Sequence, residues 1–197
     1  MSQSTEVSQN RSDRLNAVMD ELHSESDRAS VILGIAEIDH ALRDLLEAFF
    51  VAPSQSSKKY GFTLFGPDEP AGTLSARIEL SYRAGLIPEW CQREAHILRR
   101  IRNEFAHKSL GHTFNSSPTR ELVQSLSLAA ELQANTSTED FPDDFWSNPK
   151  NLFALSAGMV TAEIVCAHQN VLDGNTRRPE ACVRGVSFGA DSSESAL

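Results

Sequence analysis

Ile101-Arg102-Asn103-Glu104-Phe105-Ala106-His107 closes a run of helical periodicity that begins near Pro88. Five apolar residues recur along this run with the spacing of one helix face: Trp90, Ile97, Leu98, Ile101 and Phe105. Such a stripe is typical of an amphipathic α-helix whose apolar side packs into a protein core. The sequence therefore predicts a core helix over residues 88–107, against which the other elements pack.

The polar side of this helix carries a second pattern. Asn103 and His107 are four residues apart, so they lie one above the other, and Arg99 and Arg102 flank them. A guanidinium, an amide and an imidazole presented together are able to hold a phosphate and to move a proton. The alternative is a solvated helix face whose last-turn cations, with Lys108, complement the negative end of the helix dipole. Both interpretations fit the residues.

The rest of the chain is also helical in pattern, and no stretch has the alternating periodicity of a strand. Helical segments are predicted over residues 11–23, 27–51, 74–84, 88–107, 118–133 and 148–172. Residues 53–72, rich in Ser, Lys, Gly and Pro, are predicted to form a long loop. We therefore expect an all-α helical bundle of about five to six helices with disordered termini. It would comprise a single domain over residues 11–172, a disordered tail over residues 1–10 and a flexible C-terminal tail over residues 173–197.

Asp39 lies at the edge of the apolar seam of the helix predicted over residues 27–51, next to Ile35 and Leu42. A carboxylate at such an edge often pairs with a cation of the neighbouring helix. We expect Asp39 to pair with Arg102 or His107 as a supporting carboxylate, where it would orient the side chain and raise the imidazole pKa. The alternative is an exposed helix carboxylate.

The charge distribution favours a local contact surface over broad nucleic-acid binding. The whole chain carries a formal charge of −9, whereas domains that bind long nucleic acids are normally basic. Between Glu89 and His112 five basic residues face three acidic ones, a net +2, so the remainder carries −11. We expect four residues to contact a phosphate-bearing ligand or an acidic partner: Arg99, Arg100, Arg102 and Lys108. The alternative is that neighbouring helices neutralise these arginines.

Other site signals are weak. The three cysteines, Cys91, Cys166 and Cys182, show no C-x-x-C spacing, and the six histidines are scattered, so we expect no metal site. Cys91 has either a thiol pKa lowered by a helix N-terminus or, as we favour, a packing role. No glycine-rich phosphate loop or nucleophile elbow is present, so we expect no cofactor. The polar N-terminus and the charges within residues 31–51 predict a cytoplasmic protein without a membrane span.

The arrangement Arg102-Asn103-x-x-x-His107 resembles the signature of the HEPN superfamily of all-α proteins, many of which are metal-independent ribonucleases. The resemblance implies that His107 would act as general acid or base on an RNA 2′-hydroxyl and that Arg102 would stabilise charge on the phosphate. Asn103 would position one of them. A homodimer would bring two such sets together in one cleft.

A longer segment, Gly72 to Ile87, resembles the central part of the mannitol-operon repressor family. In that family, too, a Gly-x-Leu-Ser-x-Arg helix and a Tyr-x-x-Gly-Leu-Ile turn lead into the helix that corresponds to residues 88–107 here. The likeness runs from about Ser30 to Leu126. It implies an all-α fold and a cytoplasmic transcriptional regulator or co-regulator that acts through protein or nucleic-acid contacts. No helix-turn-helix is evident, so a DNA-reading helix is not implied.

Two functions therefore remain open. A regulator is favoured because its resemblance covers more residues, and in that case Arg102 and His107 are structural. The alternative is an endoribonuclease of toxin or defence type that uses Arg102, Asn103 and His107. Both predict a protein that acts as a homodimer or with a protein or nucleic-acid partner.

Overall fold

The computed structural model of the chain describes residues 2–52, 63–108, 111–135 and 144–176. Seven α-helices occur in these ranges: α1 (Ser2–Ser24), α2 (Asp27–Phe49), α3 (Leu74–Arg83), α4 (Glu89–His107), α5 (Thr119–Gln124), α6 (Ser127–Asn135) and α7 (Pro149–Leu172). A 3₁₀ turn, Phe145–Ser147, precedes α7, and no strand occurs in the described ranges. The predicted all-α class is confirmed, with one or two more helices than expected.

Local capping signals place several helix ends where the sequence predicted them. The Ser26 side chain accepts a hydrogen bond from the backbone N–H of Ala29, and Thr73 accepts one from Ala76 at 3.1 Å. Each hydroxyl satisfies a donor that the first helical turn leaves free. Gly85 follows α3 with φ +71°, a backbone conformation that glycine adopts without strain. These ends confirm the predicted starts of α2 and α3 and the predicted stop of α3.

The N-terminal helix is longer than the sequence indicated. α1 begins at Ser2, whereas a disordered tail was predicted over residues 1–10 and a helix only from residue 11. Residues 2–24 contain no glycine or proline to interrupt a helix, and the segment around Val18 and Leu22 is buried in the core. Once that part is helical, each added residue gains a backbone hydrogen bond without a new nucleation cost. Most of the predicted C-terminal tail, residues 177–197, lies outside the described residues.

The helix predicted over residues 118–133 is two helices in the structure. α5 ends at Gln124, and α6 starts at Ser127 after the buried Leu126. The cause is a long-range contact: the fully buried Glu94 of α4 accepts hydrogen bonds from the backbone N–H and the hydroxyl of Ser127, both at 2.9 Å. The carboxylate thus caps a new helix start, which residue propensity alone did not predict.

The core is built around α7, which packs mainly on α1 and α2. Close approach depends on Gly158, where an added Cβ would lie 2.6 Å from Leu15 Cδ1. α7 is also long and apolar enough to cross a membrane by length and composition. However, 67% of its apolar window is buried inside the protein. The apolar character of α7 is therefore explained by its place in the core.

α4 packs its apolar side into this core in one aromatic stack. Leu98, Ile101 and Phe105 are fully buried. The Phe105 ring lies 5.3 Å from that of Phe114, which in turn lies 5.2 Å from Phe153 of α7, measured between ring centroids. Two residues of the predicted stripe are only partly buried: Trp90 and Ile97. The helix is thus turned slightly from the predicted orientation, and its polar side faces α2 and solvent.

Candidate functional site

An open cleft of about 450 Å³ lies between α2, the start of α3 and α4, and we call it the α2–α4 cleft. Its polar lining includes three arginines, an aspartate and an asparagine: Asp39, Arg77, Arg99, Arg102 and Asn103. Ile32, Ile35 and Leu74 form part of its apolar lining. The structure therefore gathers residues from three helices that are far apart in sequence around one concave surface.

The structure separates the three residues of the Arg-Asn-x-x-x-His motif into two groups. Arg102 and Asn103 both line the α2–α4 cleft, and Arg102 Nη1 donates a weak hydrogen bond of 3.4 Å to Asn103 Oδ1. His107 is exposed one turn later and is not part of the lining of this cleft. A ligand seated in the cleft would contact the arginine and the amide, while the imidazole would approach it only from the rim.

The predicted partner of Asp39 is wrong. Arg77 of α3 forms a bidentate ion pair with Asp39: Nε donates at 2.9 Å, and Nη2 donates at 2.7 Å and 2.9 Å to the two carboxylate oxygens. Asp39 is bonded neither to Arg102 nor to His107. Arg77 also donates to the Ala71 carbonyl and is only 9% exposed. The signal in the sequence was the position of Arg77 beside the inward-facing Ile78, where an arginine is stable only if it is paired.

Three of the four predicted contact cations, the arginines, have no carboxylate partner in the part of the chain that the structure describes. There, no carboxylate oxygen lies within 4.0 Å of the guanidinium of Arg99, Arg100 or Arg102, while Lys108 is 4.0 Å from Glu104. Arg100 and Arg102 are exposed. The Nε of Arg99 is buried and has no hydrogen-bond acceptor among the described residues. The described helices therefore do not neutralise these arginines, which favours the contact-surface interpretation.

Arg28 of α2, which the sequence analysis did not single out, holds the C-terminal end of α4. Its guanidinium donates to the backbone carbonyls of Phe105 and, at 3.1 Å, Lys108. These carbonyls lack partners within the helix, and a cation satisfies both their hydrogen bonds and the negative end of the dipole. Next to it, Asp27 accepts a hydrogen bond from the backbone N–H of Phe114 at 3.1 Å. The end of α4 that carries His107 is thereby tied to α2.

A separate polar cluster joins α3 to α4. Glu79 Oε1 accepts hydrogen bonds from His96 Nε2 and from Gln92 Nε2, each at 2.8 Å. These two bonds lower the pKa of the Glu79 carboxyl below its ordinary value of about 4.5, and the bond from His96 has the larger effect. Arg83 adds a weaker attraction at 3.8 Å. The cluster stabilises the charged carboxylate and fixes the packing of the two helices.

Glu79→Gln should therefore remove a pH-dependent part of the stability. Because the pKa of Glu79 is lower in the folded than in the unfolded protein, its contribution is complete above about 4.5 and is lost as the pH falls through the folded value. The Glu79 side chain is 42% exposed. We therefore expect the free energies of unfolding of wild type and Glu79→Gln to differ by less than about 1 kcal/mol near neutral pH. Thermal unfolding of both proteins from about pH 7 to about pH 3 measures it. A difference that grows on acidification would contradict the assignment.

The cysteines and histidines form no further site in the described ranges. Cys91 is buried, and burial raises the pKa of its thiol, with the nearby carboxylates of Glu163 and Glu94 adding to the shift. The burial and the raised thiol pKa favour the packing role of Cys91 over a thiol activated by the helix N-terminus. Cys166 is also buried, whereas Cys182 lies outside the described residues. No three metal-ligating side chains come together in the residues that the structure describes.

Comparison with known proteins supports the architecture. No protein-family model matches the sequence, and no curated protein matches it. A chain of the X-ray structure of the MtlR–HPr complex from Escherichia coli superposes with a TM-score of 0.59 at 20% sequence identity. The match covers 77% of this chain and 98% of that chain. The likeness is one of fold. It agrees with the fold that the resemblance to the mannitol-operon repressor family implied.

Proposed function

We propose that this protein is a cytoplasmic regulatory protein, a transcriptional regulator or co-regulator, that binds an acidic partner protein through the basic side of α4. The observation that carries the proposal is the set of unpaired cations on that side. Arg100 and Arg102 are exposed and Arg99 borders the cleft, and no carboxylate among the described residues neutralises any of the three. On a chain with a net charge of −9, such a surface attracts a complementary acidic patch.

The structural neighbour suggests which kind of partner to test first. That neighbour was solved in a complex with HPr, and nearly all of the matching chain is covered by the likeness. A shared fold makes a shared mode of protein binding a reasonable proposal for this chain. HPr from the same cell is therefore the first candidate partner, with Arg99, Arg100, Arg102 and Lys108 as the contact residues.

Arg100→Gln should weaken binding of HPr about 3- to 10-fold, since loss of one rim charge removes part of the attraction to an acidic surface. Titration calorimetry at low and at moderate salt measures the effect, and wild-type binding should also weaken as salt screens the charges. Arg83→Gln is a matched control, because it removes the same charge from another exposed arginine on α3. Equal loss in both variants would show that net charge alone, and not the basic side of α4, governs binding.

A metal-independent endoribonuclease is the second candidate, supported by one observation. Arg102 and Asn103 are in contact and line the same cleft, and the exposed His107 follows one turn along the helix. Arg102 would stabilise charge on an RNA phosphate, Asn103 would position it, and His107 would move the proton of the 2′-hydroxyl. Asp39 is bonded to Arg77 and would support this site only by orienting that arginine. A homodimer would bring two such sets of residues together in one cleft.

RNA cleavage separates the two candidates. If the protein is a nuclease, wild type should cut single-stranded or structured RNA in EDTA, and His107→Ala should lower the rate at least about 100-fold, as expected for loss of a general acid or base. His40→Ala is the control, because His40 is an exposed histidine on α2 that lies outside the motif. Equal activity of wild type and His107→Ala would rule out this mechanism, and absence of cleavage by wild type would favour the regulator.

A further inference from the structure

We propose that the α2–α4 cleft binds a small phosphate monoester. This inference goes beyond the proposed function and does not rest on it, because it needs only the cleft and the residues that line it. It follows from the net charge of the cleft, from the burial and hydrogen bonding of its arginines, and from the presence of both polar and apolar residues in its lining.

The charge of the cleft matches a dianion. Three arginines and one aspartate line it, a net charge of +2. Arg77 and Asp39 neutralise each other in their ion pair, so the excess resides on Arg99 and Arg102 of α4. A phosphate monoester carries about −1.5 to −2 at neutral pH, whereas a phosphodiester carries only −1. An acidic protein that concentrates positive charge in one concave surface favours the dianion there.

The arginines of the cleft are partly arranged in advance. Arg77 is nine-tenths buried and held by Asp39 and by the Ala71 carbonyl, so its position on the cleft wall is fixed. Arg99 is different: its Nε–H is buried and lacks an acceptor among the described residues. An unsatisfied buried donor is unfavourable, and two oxygens of one phosphate can bond Nε–H and a terminal N–H of the same guanidinium. The ligand would supply the acceptor that Arg99 lacks.

The remaining lining suits the rest of a small ester. Ser75 and Asn103 offer a hydroxyl and an amide, and Ser75 lies in the first turn of α3, a ten-residue helix whose N-terminal dipole favours an anion. Ile32 and Ile35 provide the apolar wall, and Ile32 is 52% exposed in the free protein. A cavity of about 450 Å³ is within the usual size of small-molecule sites. The phosphate would bind at α4 and the carbon skeleton would cover Ile32.

Titration calorimetry with glycerol phosphate, inorganic phosphate and dimethyl phosphate tests the proposal at constant ionic strength. Wild type should bind the two dianions with a Kd of about 0.1 to 1 mM and the monoanionic dimethyl phosphate at least about tenfold more weakly. Arg99→Gln should weaken binding of glycerol phosphate about tenfold or more. Arg83→Gln is the matched control, because it removes the same charge from an exposed arginine of α3 that lies outside the lining of the cleft, and it should change the Kd less than about twofold.

Several outcomes would overturn the proposal. They are no binding of either dianion, equal or tighter binding of dimethyl phosphate, and equal weakening by Arg99→Gln and Arg83→Gln. Arg102→Gln provides a second test if Arg99→Gln fails to fold, because Arg102 is exposed and its loss should weaken binding without unfolding the chain. Binding of HPr is measured separately, so a protein that binds glycerol phosphate but not HPr would support this inference and contradict the partner proposal.

Discussion

Phe105→Ala is expected to lower the free energy of unfolding by about 3 to 5 kcal/mol, the usual cost of removing a fully buried aromatic side chain. Phe105 is 0% exposed, and its ring lies 4.9 Å from His112 and 5.3 Å from Phe114 between centroids. Truncation would remove both ring contacts and leave a cavity between α4 and α7. Because most domains are stable by only about 5 to 15 kcal/mol, this is a large share of the total.

Urea unfolding followed by circular dichroism measures this effect. Leu172→Ala is the control, because Leu172 is 53% exposed and its truncation should cost less than about 0.5 kcal/mol. Phe105→Leu should fall between the two, since leucine refills part of the cavity. If Phe105→Ala lowered the free energy of unfolding by less than about 1 kcal/mol, the Phe105 side chain would not be what holds α4 in the core, contrary to its place in the structure.

Arg77→Met is expected to cost about 2 to 4 kcal/mol. The variant keeps most of the side-chain volume but leaves the Asp39 carboxylate and the Ala71 carbonyl without their donor. Breaking a buried pair from one side is strongly destabilising because the remaining charge stays desolvated, and the 38% exposure of Asp39 places this pair at the lower end. The connection from residue 63 to residue 72 would also lose its bond to α3 and should become easier to cleave by protease.

A double-mutant cycle distinguishes the ion pair from simple packing. Asp39→Asn alone should cost less than Arg77→Met, and the double variant should be more stable than the sum of the two single changes predicts, by about 1 to 2 kcal/mol. Additive effects would mean that Arg77 acts through its apolar stem and not through Asp39. Arg43→Met is a useful control, since Arg43 pairs with Glu47 on the surface of one helix and should contribute little.

The Asp39–Arg77 pair also bears on both candidate functions. The pair lines the α2–α4 cleft together with Arg99 and Arg102, so loss of Arg77 should weaken binding of the proposed phosphate monoester as well as lower the stability. Asp39 is thereby part of the candidate site, but its direct partner is on α3 and not on the motif helix. The predicted pairing of Asp39 with His107 is wrong, because the Asp39 carboxylate is bonded to Arg77.

Most of the helices were predictable because their signals are local. Ser26 and Thr73 satisfy backbone donors three residues ahead, Gly85 adopts a positive φ, and the periodic apolar residues of α4 mark its buried side. Each signal acts over one or two helical turns, so it is visible in the sequence itself. The all-α class and the limits of α2, α3, α4 and α7 follow from such signals.

The partners of polar groups were not predictable in the same way. Whether Asp39 meets Arg77, Arg102 or His107 depends on how far α2, α3 and α4 are rotated about their axes, and each residue turns a helix by about 100°. The capping of α6 by Glu94 and of the α4 end by Arg28 likewise joins residues more than thirty positions apart.

The sequence by itself thus determined that the chain forms an all-α protein, where most helices begin and end, and that Arg102, Asn103 and His107 share the polar side of one helix. The tertiary structure alone decided that Arg102 and Asn103 line a cleft, that Asp39 binds Arg77, and that Arg99 keeps an unsatisfied donor. The physical reason is that helix formation depends on neighbours within a few residues, whereas a charged side chain finds its partner only after the helices have packed.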